Sequence, residues 1–125
     1  MKTIADINQL YLPVQYKEAI SYMIYRLKDF PVIKDVILFG SCARQGVSTH
    51  SDIDLALVVS EPISPEEEWD IDNYIRNWEA DIPCDIVFIP AAAFEREIKG
   101  ETIIRPIMRE GVQLSGLLHQ CKRAT

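Results

Sequence analysis

No stretch of the chain approaches the ~18 consecutive apolar residues of a membrane-spanning helix, which argues against a membrane-embedded protein. Cysteine is scarce. Cys42, Cys84 and Cys121 are odd in number and contain no Cys-x-x-Cys pair, so a disulfide framework is excluded and a reducing compartment fits. The three are read as small buried or half-exposed side chains. His50 and His119 cannot supply the close Cys/His cluster that zinc needs. A basic stripe is missing too: the net charge is −6, and the adjacent basic residues are confined to Lys122-Arg123. Long DNA or RNA is therefore a poor substrate, because nothing neutralises a run of phosphates. A nucleotide is not excluded, since a metal ion can bring its phosphates to an acidic site.

Repeats, low-complexity tracts and Gly/Ser linkers are absent as well, and 125 residues suit one domain, 1–125. Apolar residues at 48% and charged residues at 26% are ordinary for a globular protein with a modest core. The start, Met1-Lys2-Thr3-Ile4-Ala5-Asp6, has an early acid and no apolar signal core, so a cytoplasmic location is expected.

What is present is apolar patterning of two periods. Ile20, Met23, Ile24 and Leu27 predict a helix over roughly 13–29, with Pro13 just inside its start and Pro31 ending it. Val36-Ile37-Leu38-Phe39 reads as a buried strand. The nearly all-apolar run from Ile53 to Val59 reads as a central strand covered on both faces. Ser64-Pro65-Glu66-Glu67 has the capping-box pattern, and Ile71, Tyr74, Ile75 and Trp78 follow at helical spacing, predicting a helix over roughly 65–80. Asp85-Ile86-Val87-Phe88-Ile89 reads as a third strand stopped by Pro90. Helices follow over Ala91 to Lys99 and around Ile103, Ile104, Ile107 and Met108, with Gly111 as a C-terminal cap. Val112-Gln113-Leu114 reads as a short edge strand, and the last few residues are expected to be frayed. The expected fold is α/β (α+β): a mixed β-sheet flanked by helices.

One constellation in this pattern can carry chemistry. Phe39-Gly40-Ser41 ends one apolar run, and ten residues later Asp52-Ile53-Asp54 opens the next. In a strand, residues two apart face the same way about 6.6 Å from each other, so Asp52 and Asp54 project together while Ile53 and Leu55 turn into the core. Two adjacent carboxylates repel unless a cation lies between them, and magnesium suits such a site with phosphates completing its shell. The bland reading of a lone Asp-x-Asp is a solvated strand entrance. Gly40 lets a ligand approach the backbone, and Ser41 can cap a short helix, Cys42-Ala43-Arg44, or bond a phosphate; an ordinary strand-to-helix turn reads the same way. Arg44 can hold a phosphate or stand solvated. Asp85, which opens the third strand, is the preferred third acid, with Asp81 as rival. Gly46 serves the turn and His50 is read as a loop residue.

Taken together, Leu38-Phe39-Gly40-Ser41-Cys42-Ala43-Arg44, the ten-residue gap, Ser51-Asp52-Ile53-Asp54-Leu55 and the strand at Asp85 resemble the minimal nucleotidyltransferases of the DNA polymerase β-like superfamily, over roughly residues 13–115. Many relatives place glycine directly after the arginine; here Gln45 intervenes before Gly46. The resemblance implies a nucleotidyltransferase-like fold in which Gly40 and Ser41 hold a triphosphate. It also implies that Asp52 and Asp54 bind two Mg2+ ions (or Mn2+ in their place), with Asp85 as the third carboxylate. The implied reaction is transfer of a nucleoside monophosphate, AMP from ATP, to a hydroxyl. Larger relatives carry an acceptor domain for which this chain has no room, so a partner protein or a homodimer is expected to complete the site or be the substrate. The family resemblance points to a small helical HEPN partner, with this chain the antitoxin of the pair. The competing readings are an inactive interaction module on the same fold and a metal-dependent glycosyltransferase, which would leave Gly40-Ser41 unexplained.

Overall fold

A computed structural model describes residues 1–44, 51–76, 81–97 and 104–124. Five strands form one mixed sheet in the order β1-β5-β2-β3-β4: β1 (Lys2–Thr3), β2 (Ile33–Phe39), β3 (Ile53–Val59), β4 (Cys84–Pro90) and β5 (Val112–Gln113). β2 and β3 run antiparallel, whereas β3 and β4 are parallel, joined through α3 (Pro65–Ile75). The remaining helices are α1 (Val14–Leu27), α2 (Gly40–Arg44), α4 (Ala91–Glu97), α5 (Ile104–Glu110) and α6 (Ser115–Arg123).

The two sheet faces are unequal. Val36, Leu38, Leu55 and Leu57 face a large core completed by Ile20, Met23, Ile24 and Leu27 of α1, Ile71 and Ile75 of α3, and Leu118 of α6. On the opposite face Ile37, Ala56, Val58 and Ile89 form a smaller cluster with Phe94, Ile104 and Ile107 from α4 and α5. Each fully buried leucine or isoleucine contributes about 1.5–3 kcal/mol relative to exposure, so the first face carries most of the stability. The alternation of β3 follows from these two layers. Its burial is complete except at Asp54, which lies on the thinly covered face with Ala56 and Val58.

Several expectations are refined. α1 begins after Pro13, which takes the N-cap position, and ends at Leu27, short of Pro31. The Ser64 side chain accepts a hydrogen bond from the Glu67 N–H at 3.1 Å, and Pro65 occupies the first turn of α3; Trp78, at the expected end of that helix, is outside the described residues. β4 ends at Pro90 as expected, with the proline itself its last residue, opposite Val59, a place an edge strand tolerates. β5 is not an edge strand, because β1 pairs along its outer side. The fraying expected of the last few residues does not reach α6, which packs Leu118 into the core and runs to Arg123, with Lys122 Nζ donating to the Ile33 carbonyl at 2.8 Å. Gly111 follows α5, with its N–H bonded to the Ile107 carbonyl at 2.8 Å. Its requirement is steric, since a Cβ there would lie 2.3 Å from that oxygen and 2.6 Å from Ile37 Cγ2.

Candidate active site

The sequence-predicted acids come together at one end of β3 and β4. Parallel pairing sets Asp54 directly opposite Asp85, so both carboxylates leave the same face of the sheet. Asp52 precedes β3 by one residue and is exposed, as is Asp85, while Asp54 is half-buried. Asp81, the rival third acid, is exposed ahead of β4 and has no place in that register.

On the other side of β3, Phe39 of β2 pairs with Asp54, which delivers Gly40 to the same carboxylate. Gly40 has φ +72°, the left-handed region that side-chain-bearing residues rarely adopt. A Cβ on Gly40 would lie 2.1 Å from Asp54 Oδ2. The glycine is therefore required twice, by its conformation and by the acid occupying the space a side chain would fill. From Gly40 the chain enters α2, carrying Ser41, half-buried, and Arg44, exposed. Arg44 Nη1 is bonded to Glu110 Oε2 of α5 at 3.0 Å. Gln45, Gly46 and His50 lie outside the described residues.

Electrostatics at the site are one-sided. Burial pushes the Asp54 carboxyl above the ordinary carboxylate range; the charges of Asp85 and Asp52 and a hydrogen bond with Asp85 push the same way, opposed by Arg44. A half-buried acid crowded by two others is short of positive charge, and hard oxygen donors of this kind suit Mg2+ or Mn2+. Among the described residues no group of three or more His, Cys, Asp or Glu side chains is arranged to hold a metal ion. Magnesium takes one or two protein carboxylates, which the facing pair Asp54 and Asp85 can supply, and fills its shell with water and substrate phosphate. The donor set therefore fits the cation.

Sequence reasoning missed two residues that shape the site. Tyr16 Oη, on α1, donates to the Ser51 carbonyl at 2.8 Å, and Cys42 Sγ, on α2, contacts the Asp52 carbonyl at 3.3 Å. Both side chains are buried. Burial raises the Tyr16 hydroxyl above its usual value, with Cys42 and Asp52 adding to it, and lifts the Cys42 thiol to about 11, with Asp54 and Asp52 adding to that. A protonated thiol at that position is a donor and not a nucleophile. Cys84, also buried, is likewise held near 11 chiefly by desolvation. All three cysteines are free. No periodicity announces a tyrosine hydroxyl aimed at a loop carbonyl, so Tyr16 carried no signal beyond its helix.

A hollow of about 400 Å³ lined by Val87, Pro90, Ala93, Ile104 and Ile107 extends along the same face as Asp85. Among the described residues, no helix is long and apolar enough to cross a membrane.

A mixed sheet with facing acids on two parallel strands, beside a glycine-serine turn, defines a nucleotidyltransferase-fold domain. The chain belongs to the family described as Polymerase beta, Nucleotidyltransferase, whose sequence model matches residues 23–112. Among solved structures it resembles a chain of a toxin–antitoxin solved with AMP-PNP, at 18% identity over 82% of this chain and 83% of that one, TM-score 0.56. It also resembles a chain from a point mutant of the toxin–antitoxin MntA-HpeT, at 21% identity over 81% and 75%, TM-score 0.53. A third is a chain of the complex of a tri-AMPylated Shewanella oneidensis HEPN toxin with its MNT antitoxin, at 15% identity over 88% and 85%, TM-score 0.51. At these identities the likeness establishes the fold. No curated protein sequence matches the chain.

Proposed function

We propose that this protein transfers a nucleoside monophosphate, AMP from ATP, to a hydroxyl of a small helical partner of the HEPN class, and serves as the antitoxin of that pair. The observation that carries the reading is the packing of Asp54 against Gly40 on one side and Asp85 on the other. It supports a phosphate turn at Gly40 beside two of the proposed metal-binding acids, Asp54 and Asp85. The family membership and the toxin–antitoxin neighbours support the same direction.

In the proposed chemistry an acceptor oxygen attacks the α-phosphorus in line, the bond from that phosphorus to the bridging oxygen breaks, and pyrophosphate leaves. Asp52, Asp54 and Asp85 would hold two Mg2+ ions, which, when bound, offset the charge of the phosphates and lower the pKa of the acceptor hydroxyl. Asp85, which is exposed, would accept the acceptor's proton. Gly40, whose side-chain space is taken up by Asp54, would hold the departing phosphates through its backbone, Ser41 would supply a hydroxyl donor, and Arg44 a guanidinium once it leaves Glu110. Cytoplasmic location and assembly with a partner or a second copy belong to the same proposal.

The test is incubation with α-labelled ATP, Mg2+ and either the candidate partner or a lysate of the source cell. Label should pass to one protein, stop on chelation, return with Mg2+ or Mn2+, and be lost in Asp52→Ala and Asp54→Ala variants that remain folded. Full transfer by either variant would refute the assignment. Tight partner binding with no transfer and no metal-dependent ATP binding would favour the second reading, an interaction module that neutralises its partner by contact alone.

A further inference from the structure

Asp52 differs from the other two acids in how it is held. Asp54 and Asp85 are locked by the sheet, since they face each other in the β3–β4 register and Asp54 also pairs with Phe39. Asp52 lies outside both ladders, which begin and end at Ile53 and Asp54. Its position comes instead from three backbone ties in succession. The Ser51 carbonyl accepts from Tyr16 Oη at 2.8 Å, the Asp52 carbonyl from Cys42 Sγ at 3.3 Å, and the Ile53 N–H donates to the Pro83 carbonyl at 2.9 Å. The first tie comes from α1, the second from the short helix that also carries Gly40 and Ser41, and the third from the segment leading into Asp85.

We infer that Tyr16 and Cys42 are positioning residues that aim the Asp52 carboxylate by gripping the two consecutive carbonyls at the mouth of β3. The inference rests on the metal-binding role proposed for Asp52. The Tyr16 bond fixes the peptide between Ser51 and Asp52. The Cys42 bond, with the Ile53–Pro83 bond, fixes the peptide between Asp52 and Ile53. Turning either peptide would swing the Asp52 side chain away from Asp54, and one donor opposes each turn. Tyr16 is 3% exposed and Cys42 0%, so water does not readily replace either donor once it is removed. A buried hydroxyl or thiol takes whatever carbonyl is near, and one such bond would be ordinary packing. Two donors from different elements, converging on adjacent carbonyls of an acid that no ladder holds, form a clamp. The thiol is the weaker donor, so Tyr16 carries more of the effect.

Calorimetric titration of Mn2+ in the presence of an ATP analogue with an uncleavable α,β-bridge tests this without relying on turnover. Tyr16→Phe should weaken Mn2+ binding about tenfold, the size expected for losing a group that orients a ligand. Cys42→Ala should lose less, and Cys42→Ser, which keeps a donor, should recover most of that loss. Amide exchange should quicken at residues 51–53 in Tyr16→Phe and stay unchanged at residues 55–59. Leu118→Ala, a core change in α6, is the structural control: it should lower the melting temperature and leave Mn2+ affinity intact. Wild-type affinity in Tyr16→Phe overturns the inference alone, as does an equal loss in Leu118→Ala. Failure of the wild-type protein to bind Mn2+ overturns the nucleotidyltransferase site and the clamp together.

Discussion

Replacing Gly40 by alanine separates two costs that the structure places on one atom. The first is conformational: at φ +72° a residue with a Cβ is strained by about 1–2 kcal/mol in the left-handed region. The second is a collision, because the new Cβ would lie 2.1 Å from Asp54 Oδ2 and 3.1 Å from Asp54 Cγ, whereas ordinary contact begins at 3.4 Å. The Asp54 carboxylate must retreat by roughly 1 Å, and a misplacement of that size can cost about 10²-fold in rate. The Gly40→Ala protein should therefore melt on the order of 5 °C lower and transfer label about a hundredfold more slowly. A double-mutant cycle with Asp54→Ala resolves the two costs by urea unfolding. With Oδ2 removed the collision vanishes and only the conformational cost remains, so Gly40→Ala should destabilise less in that background, with a coupling of about 1 kcal/mol. Equal destabilisation in both backgrounds, together with undiminished transfer by Gly40→Ala, would refute the claim that the glycine exists to admit the acid.

Other perturbations read different parts of the molecule. Because the Asp54 carboxyl is raised in the folded protein, the folded state holds its proton more tightly than the unfolded chain, and stability falls as pH rises from the ordinary carboxylate value through the raised one. Asp54→Asn should lose that component, melt higher than wild type at neutral pH and lose transfer; a melting difference that does not change between pH 4 and pH 7 would contradict the cause assigned to the shift. Glu110→Gln should release Arg44 and lower the KM for ATP by no more than about fivefold, because a pair this exposed is worth at most about 1 kcal/mol; raised salt should erase the difference. Gly111→Ala should cost about 1–3 kcal/mol, read as a lower urea midpoint, since its Cβ meets the Ile107 carbonyl and Ile37.

The elements were legible where local rules act alone. α1, β3 and α3 follow from apolar spacing, from the Ile53–Val59 run and from Ser64-Pro65, and each sits within a few residues of its expectation, although the last expected turn of α3 lies outside the described residues. The short strands were harder. β1 is two residues long with both exposed, and nothing local marks Lys2–Thr3 as a strand until Val112–Gln113 lies beside it. That pairing also turned the expected edge strand β5 into an inner one. α6 was missed because its anchor, Leu118, becomes buried only once α1 and β2 are in place.

For the candidate site, the sequence alone determined which acids to watch and that a glycine-serine turn precedes them, because residue identity and strand alternation are local properties. Only the tertiary structure decided that Asp85 and not Asp81 stands opposite Asp54, since strand register is set by packing between β3 and β4. It alone also placed Asp54 in the space left by Gly40, tied Arg44 to Glu110, and brought Tyr16 and Cys42 to the carbonyls flanking Asp52. Each of these contacts joins residues ten or more positions apart, and no spacing rule reaches that far. They arise when two dissimilar sheet faces are buried at once and the side chains left at the strand ends must share what room remains.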